Sequence, residues 1–389
     1  MTKQKPSGHY IVTTTMGESV RAFVPMPLPP ERPLDLDSLH PLLDRANQAV
    51  GRLDAISTIL PDTNFLISLS IHKEALISSQ IEGTQSSLSD LLLFENQVTP
   101  TTPMDDIGEV LNYVAAMQYG LERVKGGFPI SLRLIREIHG ILLRGGRGSD
   151  QTPGEFRRSQ NWIGGTRPGN AAYVPPPPDK LMECLDNFEK FLHDENQCLP
   201  MLVQIGLLHV QFETIHPFLD GNGRLGRLLI TLLLCTREAL QEPLLYLSLY
   251  FKTHRATYYE LLQRVRTEEE WEPWLTFFLE GVESTAKQAT TTAKQLLRVF
   301  EEDREKIQQL GRSSLSVLRI QEYMQKHPYC MIGATAQALG LSIPTVATAL
   351  RHLQELQIVR EVTGKGRNRL YVYTRSMKLL EEGTEPLAP

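Results

Sequence analysis

Residues 216–227 read His216-Pro217-Phe218-Leu219-Asp220-Gly221-Asn222-Gly223-Arg224-Leu225-Gly226-Arg227. Pro217 and the Gly-Asn-Gly run oppose a continuing helix, so 216–223 reads as a loop between two helices. From Arg224 the apolar positions Leu225, Leu228, Leu229, Leu232 and Leu233 recur at helical spacing, which predicts a helix over 224–237. A helix start leaves N–H groups unpaired and carries partial positive charge. Glycines let an anion approach that backbone closely. Arg224 and Arg227 lie three apart on one side of the first turn, where arginine opposes the helix dipole unless an anion is bound. Arginine also supplies paired donors to phosphate oxygens. Asp220 is a hard oxygen ligand suited to Mg²⁺, and His216 can accept a proton near neutral pH. Each part alone is ordinary, a capping histidine or an Asp-Gly turn. Together they describe phosphoryl chemistry on a Mg-bound nucleotide.

The run matches every specified position of HxFx(D/E)GNGRxxR and so resembles the signature of the Fic family. The resemblance implies a protein adenylyltransferase. It would transfer AMP from ATP to a Ser, Thr or Tyr hydroxyl of a target protein, and to itself, with release of pyrophosphate. His216 would be the general base and Asp220 would hold Mg²⁺. Gly221, Asn222, Gly223 and Arg224 would line the phosphate cradle, Arg227 would pair with the γ-phosphate, and Phe218 would fix the loop from the core. Gly169 to Pro178, with Ala172, Tyr173 and Val174 at its centre, resembles the Fic flap, a β-hairpin whose main chain docks the target peptide. Ser78-Ser-Gln-Ile-Glu82-Gly83 resembles the Fic inhibitory motif (S/T)xxxE(G/N). Ser78 and Glu82 share a helical face and Gly83 ends the helix. By that resemblance Glu82 pairs with Arg227 and takes the place of the γ-phosphate, because one guanidinium fork cannot serve both. The same carboxylate could instead support removal of AMP.

The rest of the 389-residue chain bounds these expectations. Hydrophobic residues make up 41% and charged residues 22%, an ordinary globular balance. The four cysteines are scattered and form no disulfide or zinc pattern. No P-loop motif is present. The N-terminus has no apolar leader and no run is long enough to span a bilayer, so the expectation is a cytoplasmic protein with no membrane partner. Residues 1–35 are Pro-rich and read as an extended arm. Helical periodicity dominates from there to about residue 300, and Trp271 and Trp274 read as core.

After Gly311 the pattern changes. Helix, Gly-containing turn, a helix with Pro344 in its first turn, then two strands joined by TGKGRN form a winged-helix pattern. Residues 311–375 carry a net charge of +6 within a chain of net −5. Arg351, Lys365, Arg367 and Arg369 are its candidate DNA contacts. The expected fold is mainly α: residues 1–100 with the inhibitory motif, a Fic core with a small hairpin flap over 101–300, and a winged helix over 311–376. The resemblance further implies a homodimer. A rival reading is a DNA-binding regulator whose Fic domain senses nucleotide or modifies only itself.

Overall fold

The computed structural model describes residues 6–59, 63–96, 102–364 and 369–386. It opens on an antiparallel hairpin, β1 (Gly8–Thr15) and β2 (Glu18–Pro25), with Gly8 opposite Pro25 and Thr15 opposite Glu18. This corrects the extended arm expected over 1–35. Met16 and Gly17 both adopt positive φ, 51° and 79°, as a two-residue hairpin turn requires. Phe23 explains the docking: it is fully buried, its ring meets Tyr10 and Tyr173, and its N–H donates to the Val174 carbonyl at 2.9 Å.

The body is helical: α1 (Leu36–Ile59), α2 (Thr63–Ile81), α3 (Leu88–Glu95), α4 (Met104–Lys125), α5 (Leu132–Leu142), α6 (Pro178–Leu192), α7 (Met201–Ile215), α8 (Asn222–Thr236), α9 (Ser248–Thr253), α10 (Arg255–Glu268) and α11 (Trp271–Gln308). Helix α7 is buried nearly all round, as a helix with apolar residues on every side requires. Gly206 admits a neighbour there: a Cβ would meet Phe278 and Leu275 at 3.2 and 3.1 Å, and Trp274 donates its indole N–H to the Gly206 carbonyl. Several polar groups of α7 find partners inside the body, while Glu213 Oε1 is buried without one. His209 joins the Gly226 carbonyl to the Tyr258 hydroxyl, and Gln211 donates to the Met26 carbonyl.

One apolar cluster takes in α2, α4, α5, α7, α8 and α11 from Val24 to Leu296, and Tyr329, Leu370, Val372, Met377 and Leu380 join it from the C-terminal part of the chain. It crosses residue 100 without a break, so no packing seam falls there. A second cluster, from Val299 to Tyr373, fills the C-terminal module. That module holds α12 (Ser314–Lys326), β3 (Tyr329–Met331), α13 (Ile332–Leu339), α14 (Ile343–Glu355), β4 (Val359–Glu361) and β5 (Leu370–Tyr373), with sheet order β3-β5-β4. Helix α11 spans both clusters, and its fully buried Asp303 accepts from Lys306, Tyr373 and Arg375. Ser342 caps α14, and Arg351 on that helix is exposed. Lys365 and Arg367 lie outside the described residues. The chain does not stop at 376. Helix α15 (Thr374–Glu381) buries Met377 and Leu380 against the first cluster. No helix among the described residues is long and apolar enough to cross a membrane.

Candidate active site

Helix α7 ends at His216, which turns left-handed (φ 49°, ψ 62°) while its N–H still donates to the Phe212 carbonyl. That conformation is uncommon for a residue with a Cβ, and it swings the chain into the loop. Asn222 braces the loop from within. The Phe218 N–H donates to its Oδ1 and its Nδ2 donates to the Phe218 carbonyl, both at 2.9 Å. The Asn222 side chain is thereby spent on the loop, leaving only its backbone to face a ligand. Gly221 takes φ 77° at the start of α8, and its N–H donates to Asp220 Oδ1 at 2.7 Å.

Two residues with no motif around them hold the loop in place. Arg157 donates from Nε to the His216 carbonyl at 2.9 Å and from Nη2 to the Ile215 and Pro176 carbonyls, while its own N–H reaches the Pro217 carbonyl. Burial, without a carboxylate partner, pulls its pKa down to about 10. His139, on α5, receives the Gly154 N–H at Nδ1 and joins Nε2 to the Asp220 carbonyl, both at 2.9 Å. Its ring stacks on Phe218 with centroids 3.7 Å apart. Those partners fix the tautomer: Nδ1 accepts, so Nε2 carries the proton. Burial also governs His216, aided by the cations of Arg157 and Arg266. Its pKa falls to about 3, so the ring is neutral at physiological pH, and its Nδ1 is buried without a hydrogen-bond partner.

The two arginines of α8 are nearly inaccessible and are held apart by different carboxylates. Arg224 donates to Glu109 Oε2 on α4 at 2.9 Å and to Asp220 Oδ2 at 3.4 Å, with its buried Nε unpartnered. Burial raises Glu109 against the pull of Arg224. Arg227 donates to the Ser78 hydroxyl at 2.8 Å, the Ser78 carbonyl at 2.9 Å and Glu82 Oε1 at 2.6 Å. Burial disfavours both charges of that last pair, but each partner outweighs it: Glu82 sits below the usual carboxylate range and Arg227 above its own. Glu82 follows the last residue of α2, and Gly83 (φ 109°) turns the chain away. A Cβ on Gly223 would lie 2.4 Å from Glu82 Oε1. The carboxylate therefore rests on the first turn of α8, where the helix dipole and the missing side chain invite an anion.

The segment that resembles a flap is pinned to the body of the protein. A single bridge pairs Ile163 with Tyr173. Tyr173 and Val174 are buried, the Tyr173 hydroxyl donates to the Thr214 carbonyl at 2.6 Å, and only Ala172 of the three is exposed. The Val174 carbonyl is taken by Phe23 of the N-terminal hairpin, so this stretch is the seam where the hairpin joins the body.

Residues 129–234 match the Fic/DOC family model and residues 40–122 match the Fic/DOC family N-terminal model. The chain contains a Fic/DOC domain preceded by a Fic/DOC N-terminal region. The chain is similar to the protein adenylyltransferase Fic of Aedes aegypti, 34% identical over 241 residues that make up 60% of this chain and 45% of that one. It is 33% identical to the protein of the same name from Culex quinquefasciatus over 222 residues, 55% of this chain and 41% of that one. The Fic/DOC-domain chain thus spans less than half the length of these curated relatives. In fold it is similar to a Fic family protein from Desulfovibrio desulfuricans G20, with TM-score 0.58, 20% identity, and 89% of this chain and 98% of that one covered. A Fic-1 structure from C. elegans covers 67% of this chain and 74% of its own, with TM-score 0.51 and 20% identity.

Among the Fic/DOC-domain residues, sequence reading missed His139, Arg157 and Glu109. His139 lies on the buried face of an amphipathic helix, where a lone histidine signals nothing. Arg157 and Glu109 act on partners far along the chain, and no spacing rule reaches them.

Proposed function

We propose that this protein is an adenylyltransferase that moves AMP from ATP to a hydroxyl of a target protein, and that Glu82 restrains it. The observation that carries the reading is the seat on the first turn of α8. Backbone donors, Gly223 and two buried arginines converge there, and a carboxylate of the same chain already fills the anion position. Neutral His216 at the loop entrance takes the proton of the attacking hydroxyl. That oxygen bonds to the α-phosphorus, the bond from the α-phosphorus to the bridging oxygen breaks, and pyrophosphate leaves. Arg224 and the α8 backbone meet the charge that builds on the phosphates. Asp220 fits a Mg²⁺ role: its carboxylate is about one-third exposed and Oδ2 is held only by a long bond to Arg224. No cluster of three metal-binding side chains occurs among the described residues, as befits a cation whose other ligands are phosphate oxygens and water. Bound there, the ion supplies charge neutralisation.

His139 and Arg157 act as positioning residues, since one holds the Asp220 carbonyl and the other the His216 carbonyl. We read residues 311–376 as a winged helix, supported by the order α12, β3, α13, α14, β4, β5 and the three-stranded sheet.

The test uses ATP labelled at the α-phosphate, with Mg²⁺ and cell lysate. Label on protein should rise in Glu82→Gly and fall by roughly 10²- to 10⁴-fold in His216→Ala, the usual contribution of a general base. Absence of label in Glu82→Gly, with ATP still bound, would overturn the assignment.

A further inference from the structure

The last described residues return to the helix that carries Glu82. Beyond α15 the chain runs across α2 and α9, and core side chains hold its backbone. Gln80 is buried on α2, two residues before Glu82. It donates from Nε2 to the Thr384 carbonyl and to the Ser86 carbonyl, both at 2.8 Å. Lys252, buried on α9, donates to Gln80 Oε1 at 2.7 Å, to the Gly383 carbonyl at 3.4 Å and to the Glu385 carbonyl. Lys73, one face along α2, donates to the Glu382 carbonyl at 3.3 Å. Ser89, just past the turn, donates to the Glu381 carboxylate. Thr384 is buried, and its hydroxyl and N–H both fold back to the Glu381 carbonyl. Gly383 takes φ 78°, and a Cβ there would sit 3.0 Å from Leu249.

Gln80 is the hub. Its amide joins three pieces of chain: α2 before Glu82, the turn after it at Ser86, and the C-terminal tail at Thr384. Glu82 lies between the two points of α2 and its turn that this amide fixes. None of these contacts touches Arg227, His216 or the α8 seat. Buried polar groups of this kind are costly to leave unpaired, so removing the tail would force Gln80, Lys73 and Lys252 to find water or move.

We propose that residues 381–386 are a latch: their docking holds the end of α2, and with it Glu82, on Arg227, so that detaching the C-terminal segment releases the restraint. The proposal rests on the reading of Glu82 as a brake. It adds what the brake responds to, namely the attachment of the C-terminal module.

Two full-length variants break the latch by different means. Gly383→Val strains a left-handed position and collides with Leu249, removing no polar group. Lys252→Met keeps the stem and removes the ammonium that holds Gln80 and the tail. Both should raise AMP transfer on the order of tenfold, mid-range for coupled sites. Both should lose amide-exchange protection over residues 75–86, with His216→Ala as the zero-activity control. Neither should add to the rate of Glu82→Gly, because the restraint is already gone. If Glu82→Gly gains activity while both latch variants lose protection at 75–86 and gain none, the latch is overturned and the brake stands. A gain of equal size in the Glu82→Gly background also overturns it, since the tail would then act elsewhere. If Glu82→Gly itself shows no gain, the brake fails and the latch falls with it.

Discussion

Asn222 makes four atoms of Phe218 and itself into a closed ring of hydrogen bonds, and no other side chain can do this from that position. Asn222→Ala would leave the buried Phe218 N–H without a partner and its carbonyl with only Asn161. The expected cost is about 2 kcal/mol, read as a lower denaturant midpoint with unchanged slope. His209 offers a second test at this scale. Burial and the nearby Arg227 charge hold its pKa near 3, against an ordinary 6.5. The unfolded chain therefore takes up a proton that the folded chain refuses as pH falls below about 6.5. The stability from keeping His209 neutral is full above that pH and is lost progressively toward about 3. His209→Gln, which cannot titrate, should show a shallower fall of Tm over that window than the parent chain. Glu82 runs the other way from an ordinary carboxylate only in degree. Its depressed pKa keeps the Arg227 pair intact at neutral pH and lets go only below the usual carboxylate range. Mild acid should therefore leave the rate of AMP transfer unraised, and a clear rise by pH 6 would contradict the brake.

At the level of elements, each helix end depends on one or two backbone choices. Gly83 stops α2 at φ 109° with nothing within 4 Å of a would-be Cβ. Gly83→Ala should thus cost about 1 kcal/mol through backbone strain alone, measurable by chemical denaturation. The twelve residues at 216–227 could be read because their chemistry is local: the loop, the helix start, both arginines and the aspartate follow one another in the chain. Ser78 and Glu82 were legible for the same reason, as neighbours on one helical face. The N-terminal hairpin was not. Its Pro-rich flank resembles an arm, and Met16-Gly17 is a weak turn signal beside Asn-Gly. What settles it as a hairpin is Phe23 against Tyr173, a contact 150 residues away in sequence. The packing of the Gly169–Pro178 stretch was hidden for the same reason. Tyr173 is buried and the Val174 carbonyl accepts from Phe23, features that depend on the N-terminal hairpin.

For the molecule as a whole, α11 is the spine. Its 38 residues span roughly 57 Å and contribute to both apolar clusters. Asp303 fixes the C-terminal module to it through Arg375 and Tyr373. Asp303→Ala would strand buried polar groups and should cost roughly 3 kcal/mol. Scanning calorimetry should show it as a separate early transition of the C-terminal module. What set that module apart in the sequence is the change of charge balance and strand signals after Gly311. That change could not show that α15 folds back, since Met377 and Leu380 read as one face of any amphipathic helix.

That return has a mechanical meaning. A module joined to a body at one point can swing like a gate, and its position then varies by degrees. Here the chain leaves the body along α11 and comes back to it through α15, and Tyr329, Leu370 and Val372 join the body's core in between, so the module is fastened at several points. A part held at several points does not swing. It stays seated or it comes away, and anything that pulls on it sends an all-or-none message rather than a graded one.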